Sequence, residues 1–158
     1  MHVIVPTDGS KQSLTAARKL KSFADPTKID EITILAVVRP LAAVSFVDDL
    51  SPRPKGRRNP AAAPDLSFRE AAISAVDVVA AEFAGWGPKV HKKVRSGSPA
   101  GEIIKLASTS GADLIVIGAG GRGLSETILV GSTAQHVQQY APCPVLVVRP
   151  TKRSRAKK

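Results

Sequence analysis

Apolar residues fall along the chain in two alternating patterns, short runs and three-to-four-residue repeats. Residues 2–6 form a short apolar run and predict a first strand. Ser10 can cap a helix in which Leu14, Ala17, Leu20 and Ala24 recur on one side. Residues 31–38 (EITILAVV) are β-branched and nearly all apolar, as in a strand covered on both faces. Residues 39–65 hold Pro40, Pro52, Pro54, Pro60 and Pro64 and read as one long loop. Phe68, Ala72, Val76, Val79 and Phe83 then mark an amphipathic helix. Residues 89–95 (KVHKKVR) alternate polar with apolar, which suits an edge strand with one wet face. Ser98 and Pro99 start a helix that turns Ile103, Ile104 and Ala107 inward. Residues 113–118 (DLIVIG) predict a buried strand, residues 132–140 a short helix and residues 145–148 a fifth strand. No internal repeat is visible. Strands alternating with helices imply an α/β fold: one parallel sheet with helices on both faces.

Length and composition narrow the class. The 158 residues fit one domain, placed at residues 1–150. A 43% hydrophobic content excludes a disordered chain. One cysteine, Cys143, excludes an internal disulfide framework and a multi-cysteine zinc site. No apolar run is long enough for a membrane-spanning helix. The start MHVIVPTDGS reads as strand and turn rather than signal peptide, so the expected location is cytoplasmic. Aromatics are 4%, too few for a base-stacking nucleic-acid surface.

The net charge is +10, and half of it lies in residues 151–158. A second basic run, Arg53, Lys55, Arg57 and Arg58, sits in the Pro-rich stretch. Neither run lies on a patterned helix or carries aromatics. Both read as solvated segments, the last eight residues as a disordered tail, and nucleic acid is set aside as the main partner. A tail that binds nucleic acid remains the alternative, and would show steeply salt-dependent affinity.

Residues 118–133 (GAGGRGLSETILVGST) carry the candidate chemistry. The segment leaves a buried strand through four glycines and ends in Gly131, Ser132 and Thr133 at a helix start. Glycines let backbone N–H groups approach an oxyanion without interference from Cβ. A helix start adds unsatisfied donors and the positive end of a dipole. Ser132 and Thr133 add hydroxyls, and Arg122 a charge. A Walker A loop is excluded, since no lysine lies between Leu106 and Arg149. Gly118, Gly120 and Gly123 match G-x-G-x-x-G by count. They follow the fourth strand, and no ribose-binding acid lies about 20 residues on, which argues against NAD.

Asp8 supplies the acid instead. It ends the first strand in Pro6-Thr7-Asp8-Gly9-Ser10, where a carboxylate can accept hydrogen bonds from ribose or cap the helix beside Ser10. If strands one and four are neighbours, the Asp8 and Gly118 loops face one crevice. His2 and His91 fall in strands and read as structural, and His136 as a helix-surface residue. Cys143, between Pro142 and Pro144, reads as a packing residue. No paired carboxylates or nucleophile elbow appear, so no catalytic or metal-ligating residue is assigned.

These blocks together resemble the universal stress protein family over residues 2–150. The resemblance rests on PTDGS, GSPAGEI followed by GADLIVIGAGG, and GST…APCPVLVVRP. Its most specific feature is the spacing Gly118-x2-Gly121-x9-Gly131-Ser132, the family's ATP-binding motif. The resemblance implies a Rossmann-like sheet of the adenine nucleotide alpha hydrolase type, with strand order 3-2-1-4-5. It implies a stress or signalling module that binds ATP, with or without Mg2+, or AMP or a cyclic nucleotide in its place, and that hydrolyses ATP slowly at most. An ATP-using enzyme of the same fold is the alternative. Asp8 would contact ribose, with Pro6 and Thr7 shaping the adenine side. Val37 and Ile117 would wall the adenine. Gly118, Gly121, Gly131, Ser132 and Thr133 would hold ribose and phosphates. A homodimer through residues 144–149 is also implied.

Overall fold

The computed structural model describes residues 1–40, 63–120 and 130–150, with residues 63–66 in backbone only. Among the described residues there are five strands: β1 (His2–Thr7), β2 (Glu31–Val38), β3 (Lys89–Ser96), β4 (Leu114–Gly118) and β5 (Val145–Val148). Four helices among the same residues connect or flank them: α1 (Lys11–Phe23), α2 (Ala63–Ala81), α3 (Pro99–Ser110) and α4 (Ser132–Tyr140). A single 3-10 turn, Pro26–Lys28, lies between α1 and β2. The sheet order is β3-β2-β1-β4-β5, and all four pairings are parallel.

The period of two along the strands divides the core. Val3, Val5, Ile32, Ile34 and Val116 face α1 and α2. Ile4, Leu35, Ile115 and Ile117 face α3 and α4. The central strands are covered on both sides, which is why β2 is an almost unbroken apolar run. Each Ile or Leu buried in this way stabilises the fold by about 1.5–3 kcal/mol. At one edge β3 turns Val90 and Val94 inward and leaves Lys89 and Lys93 exposed, as the alternation predicts.

The helix ends follow local chemistry. Ser10 caps α1 by accepting from the Ser13 N–H at 3.3 Å. Pro99 opens α3 without a side-chain cap, and Gly111 ends it in the left-handed region at φ 63°.

Two expectations need correction. The stretch 39–65 is not loop to its end: α2 already begins at Ala63. Pro64 does not prevent this, because a first-turn proline has no helical hydrogen bond to lose. Residues 41–62 and 151–158, with their basic runs, lie outside the described residues. Phe68 is not a core residue: it is 52% exposed. The buried stripe of α2 runs through Val76 and Val79 to Phe83, which follows the helix and packs against Trp86 with ring centroids 5.6 Å apart.

The feature that positions the site is the neighbourhood of β1 and β4. From β1 the chain goes through α1 to β2; from β4 it goes through α4 to β5 on the opposite side. The strand order therefore reverses between them, and a crevice opens at their carboxyl ends. Gly118 ends β4 where α1 presses on the sheet. A Cβ there would stand 2.9 Å from the carbonyl carbon and oxygen of Gln12. That contact is with backbone, which cannot rotate away. Gly118→Val should therefore destabilise the protein by roughly 1–3 kcal/mol through overpacking. Urea unfolding should show a lowered midpoint; a wild-type midpoint would mean that α1 does not press on β4.

Candidate functional site

A cleft of about 1040 Å³ lies over the carboxyl ends of β1, β2 and β4. Of the residues expected there, Pro6, Thr7, Asp8, Val37, Ile117, Gly118, Gly131, Ser132 and Thr133 all line it. Gly121 and Arg122 lie outside the described residues.

The cleft straddles the end of the sheet. On the side covered by α3 and α4, Leu35, Val37, Ile103, Ile117 and Val130 form an apolar wall. On the side covered by α1 and α2, Ala36, Val38 and the stripe Ala71, Ala72 and Ala75 form another. Val37 and Val38 thus point to different sides of the sheet. Val37 shares a side with Ile117, as two walls of one slot must.

Polar groups at the cleft floor are mostly engaged. Thr7 is buried; its Oγ1 accepts from the Gly9 N–H at 3.1 Å and lies 2.9 Å from Ser13 Oγ. Ser13 Oγ donates to the Ser10 carbonyl at 2.8 Å, so the Thr7 hydroxyl donates to Ser13. Asp8 is exposed, and its Oδ1 accepts from the Ser10 N–H at 2.9 Å. The turn uses one carboxylate oxygen and holds the side chain in place; Oδ2 has no partner among the described residues.

At the opposite rim, Gly118 serves packing against Gln12 as well as lining the cleft. The Gly131 N–H donates to the Ala119 carbonyl, which ties the two ends of residues 119–131 together. The Ala119 N–H in turn donates to the Val148 carbonyl at 2.8 Å. The Gly131 amide is thus engaged within the chain. Gly131 is the N-cap of α4, and no side chain caps that helix. Ser132, Thr133 and Ala134 at its first turn border the cleft, bringing orphan donors and the positive end of the helix dipole. Such an end accepts an anion. The arrangement joins a carboxylate, an apolar slot and an anion-accepting helix end around one crevice.

The comparisons with known proteins decide the family. Residues 1–149 match the model of the universal stress protein family. The chain belongs to the universal stress protein family. The relative MJ0531 of Methanocaldococcus jannaschii, also a universal stress protein, is 34% identical over 158 residues, which is 96% of this chain and 83% of the relative. A Mycobacterium tuberculosis universal stress protein, Rv2624c, is 33% identical over 147 residues; the chain spans 47% of that relative's length. Among solved structures, M. jannaschii MJ0577 superposes with a TM-score of 0.77 at 26% identity, over 96% of both chains. Two more distant structures share the fold. A universal stress protein in complex with cAMP has a TM-score of 0.58 at 24% identity, over 94% and 95% of the two chains. The Archaeoglobus fulgidus protein in complex with dAMP has 0.55 at 20%, over 93% and 96%.

Most residues missed from the sequence are apolar. Leu35, Ile103 and the alanines of α2 carry ordinary core periodicity, and nothing in that pattern distinguishes a cleft wall from a core. Arg39 also lines the cleft, and its place directly after β2 was the available signal. The histidines lie away from the cleft: the His2 ring bonds Thr33 Oγ1 at 2.9 Å, His91 pairs with Glu31 at 2.9 Å, and exposed His136 stacks on Tyr140. No helix among the described residues is long and apolar enough to cross a membrane.

Cys143 packs against the α3–α4 side of the core. Partial burial, aided by the negative charge of Asp113, pushes its thiol pKa up. The unreactive thiol form therefore dominates at neutral pH. Iodoacetamide at pH 7.5 should alkylate Cys143 more slowly than free cysteine; an equal or faster rate would contradict this environment.

Proposed function

We propose that this universal stress protein binds an adenine nucleotide in the cleft and acts as a nucleotide-responsive stress or signalling module. One observation carries the reading: Asp8, the Val37–Ile117 slot and the uncapped start of α4 converge on one crevice at the strand-order reversal. The slot suits a planar base; Pro6 borders it, and Thr7 lines the same cleft from the α1 side. The Asp8 carboxylate suits ribose hydroxyls. The first turn of α4, with the Ser132 and Thr133 hydroxyls, suits a phosphate. The cAMP and dAMP complexes of related folds support an adenine nucleotide. ATP is the form we favour, because the segment from Gly118 through Gly121 and Arg122 to Gly131 keeps the family's phosphate-binding spacing. Mg2+ would then neutralise part of the triphosphate charge. No catalytic step is assigned. Slow ATP hydrolysis is the alternative, and multiple turnover with Mg2+ would favour it.

Calorimetry tests the reading. ATP or AMP should bind with a dissociation constant in the micromolar range, roughly 8 kcal/mol. Asp8→Ala should weaken binding about tenfold, which is about 1.4 kcal/mol, and should also lower stability by about 0.5–1.5 kcal/mol through loss of the Ser10 N–H bond. No heat with ATP, ADP or AMP at millimolar ligand would overturn the assignment.

The partner we infer is a second copy. β5 is an edge strand, and Val145, Leu146 and Val147 are only half-buried. An apolar edge needs a cover, and pairing two β5 edges about a two-fold axis provides one. Sedimentation at micromolar concentration should show a dimer, and Val147→Lys should make it a monomer. A wild-type monomer, or a dimer that survives the substitution, would refute this contact.

A further inference from the structure

The nucleotide reading leaves half of the cleft without a role. Base, ribose and phosphate groups are all placed on the α3–α4 side of the sheet end or at its centre. The walls on the other side, Ala36, Val38, Ala71, Ala72 and Ala75, take no part in that reading. A second cavity, of about 340 Å³, lies there between the first half of α1 and α2. It shares Thr7, Ser13, Ala71 and Ala75 with the cleft, so the two are continuous around the end of β1. Its size falls within the usual range for a small-molecule site.

Its chemistry is specific. Of the α2 residues that face it, Ala71, Ser74 and Ala75 are small and leave a gap between the two helices. Leu14, Val78 and Val79 complete an apolar lining, and Val78 is 53% exposed although it is a large aliphatic residue. The two hydroxyls at the inner end, on Thr7 and Ser13, bond each other and Ser10, and so do not call for a polar ligand atom. Among the described residues its lining carries one cation, the exposed Lys11, the first residue of α1. A lysine at the positive end of a helix is normally unfavourable. The first turn carries no acidic residue to offset it, and Lys11 has no salt-bridge partner among the described residues.

From this we infer a second ligand site: the groove between α1 and α2 binds an amphipathic monoanion, an aliphatic carboxylate whose chain lies along Leu14, Ala75 and Val78 and whose head group pairs with Lys11. The inference rests on the nucleotide reading only for the statement that the other half of the cleft belongs to a different ligand. A protein that holds both would report on two small molecules through one sheet end.

The test uses anilinonaphthalene sulfonate, an apolar fluorophore with one anionic group, on the full chain. Its fluorescence should rise saturably and fall again on adding octanoate, while AMP at saturating concentration leaves it in place. Ala75→Trp fills the groove and should weaken dye binding at least tenfold. Lys11→Glu should weaken it severalfold. Val78→Glu, at a half-exposed position that folding tolerates, should weaken it as well and stands in if Ala75→Trp fails to fold. No saturable binding, displacement by AMP as readily as by octanoate, or unaltered binding in Lys11→Glu and Val78→Glu would overturn the site. AMP calorimetry on the same samples reports separately on the nucleotide reading, so either can fail alone.

Discussion

The structure depends on the burial of β1 in the middle of the sheet. Its residues Val3, Ile4 and Val5 have no exposed surface, and β2 and β4 hold its two edges. A strand covered on four sides has no freedom to slip, since a one-residue shift would turn each side chain to the other helix layer. The carboxyl end of β1 is thus a rigid post. Thr7 and Asp8 take their places from it, one directed inward to Ser13 and the other outward to solvent. The reversal of strand order beside β1 then opens the crevice that a continuous winding would have closed.

Polar accounting at the sheet end separates what is structural from what is left for a ligand. The inner hydroxyls of Thr7 and Ser13 and the amides of Gly9, Ser10, Ala119 and Gly131 all have partners within the chain. They make the turns stiff, so the remaining groups are held in position before any ligand arrives. Among the described residues, those remaining groups are one Asp8 oxygen, the Ser132 and Thr133 hydroxyls and the first-turn donors of α4. Binding to such groups loses little ordering entropy. The glycines divide in the same way. Gly118 is required by the backbone of Gln12 at 2.9 Å, a packing reason that would hold with or without a ligand.

Much of the fold is legible in the sequence because each element carries a local signal. The alternation in β3, the unbroken apolar run of β2, Ser10 before α1 and Pro99 at the start of α3 are local facts, and all appear as read. The start of α2 is less legible, because prolines before it suggest loop while first-turn positions accept proline. Phe68 fits the helical stripe by spacing yet is exposed, since spacing says which side of a helix a residue occupies and not whether another element covers it. Apart from Arg39, the polar residues expected at the candidate site are visible as motifs. Its apolar walls are not, because Leu35, Ile103 and Ala75 look like core. That one cleft serves both sides of the sheet follows only from how α2 sits beside α1.

The central claim is that the crevice between β1 and β4 holds the adenine nucleotide. Backbone amide resonances of the isotope-labelled protein, followed through a titration with AMP, test it most directly. The account predicts that the largest shifts fall on Asp8, Val37, Ile117, Ser132 and Thr133, at the carboxyl ends of three strands and the start of α4. Shifts confined to the amino-terminal end of the sheet around His2, Glu31 and His91, or to the β3 edge, would contradict it.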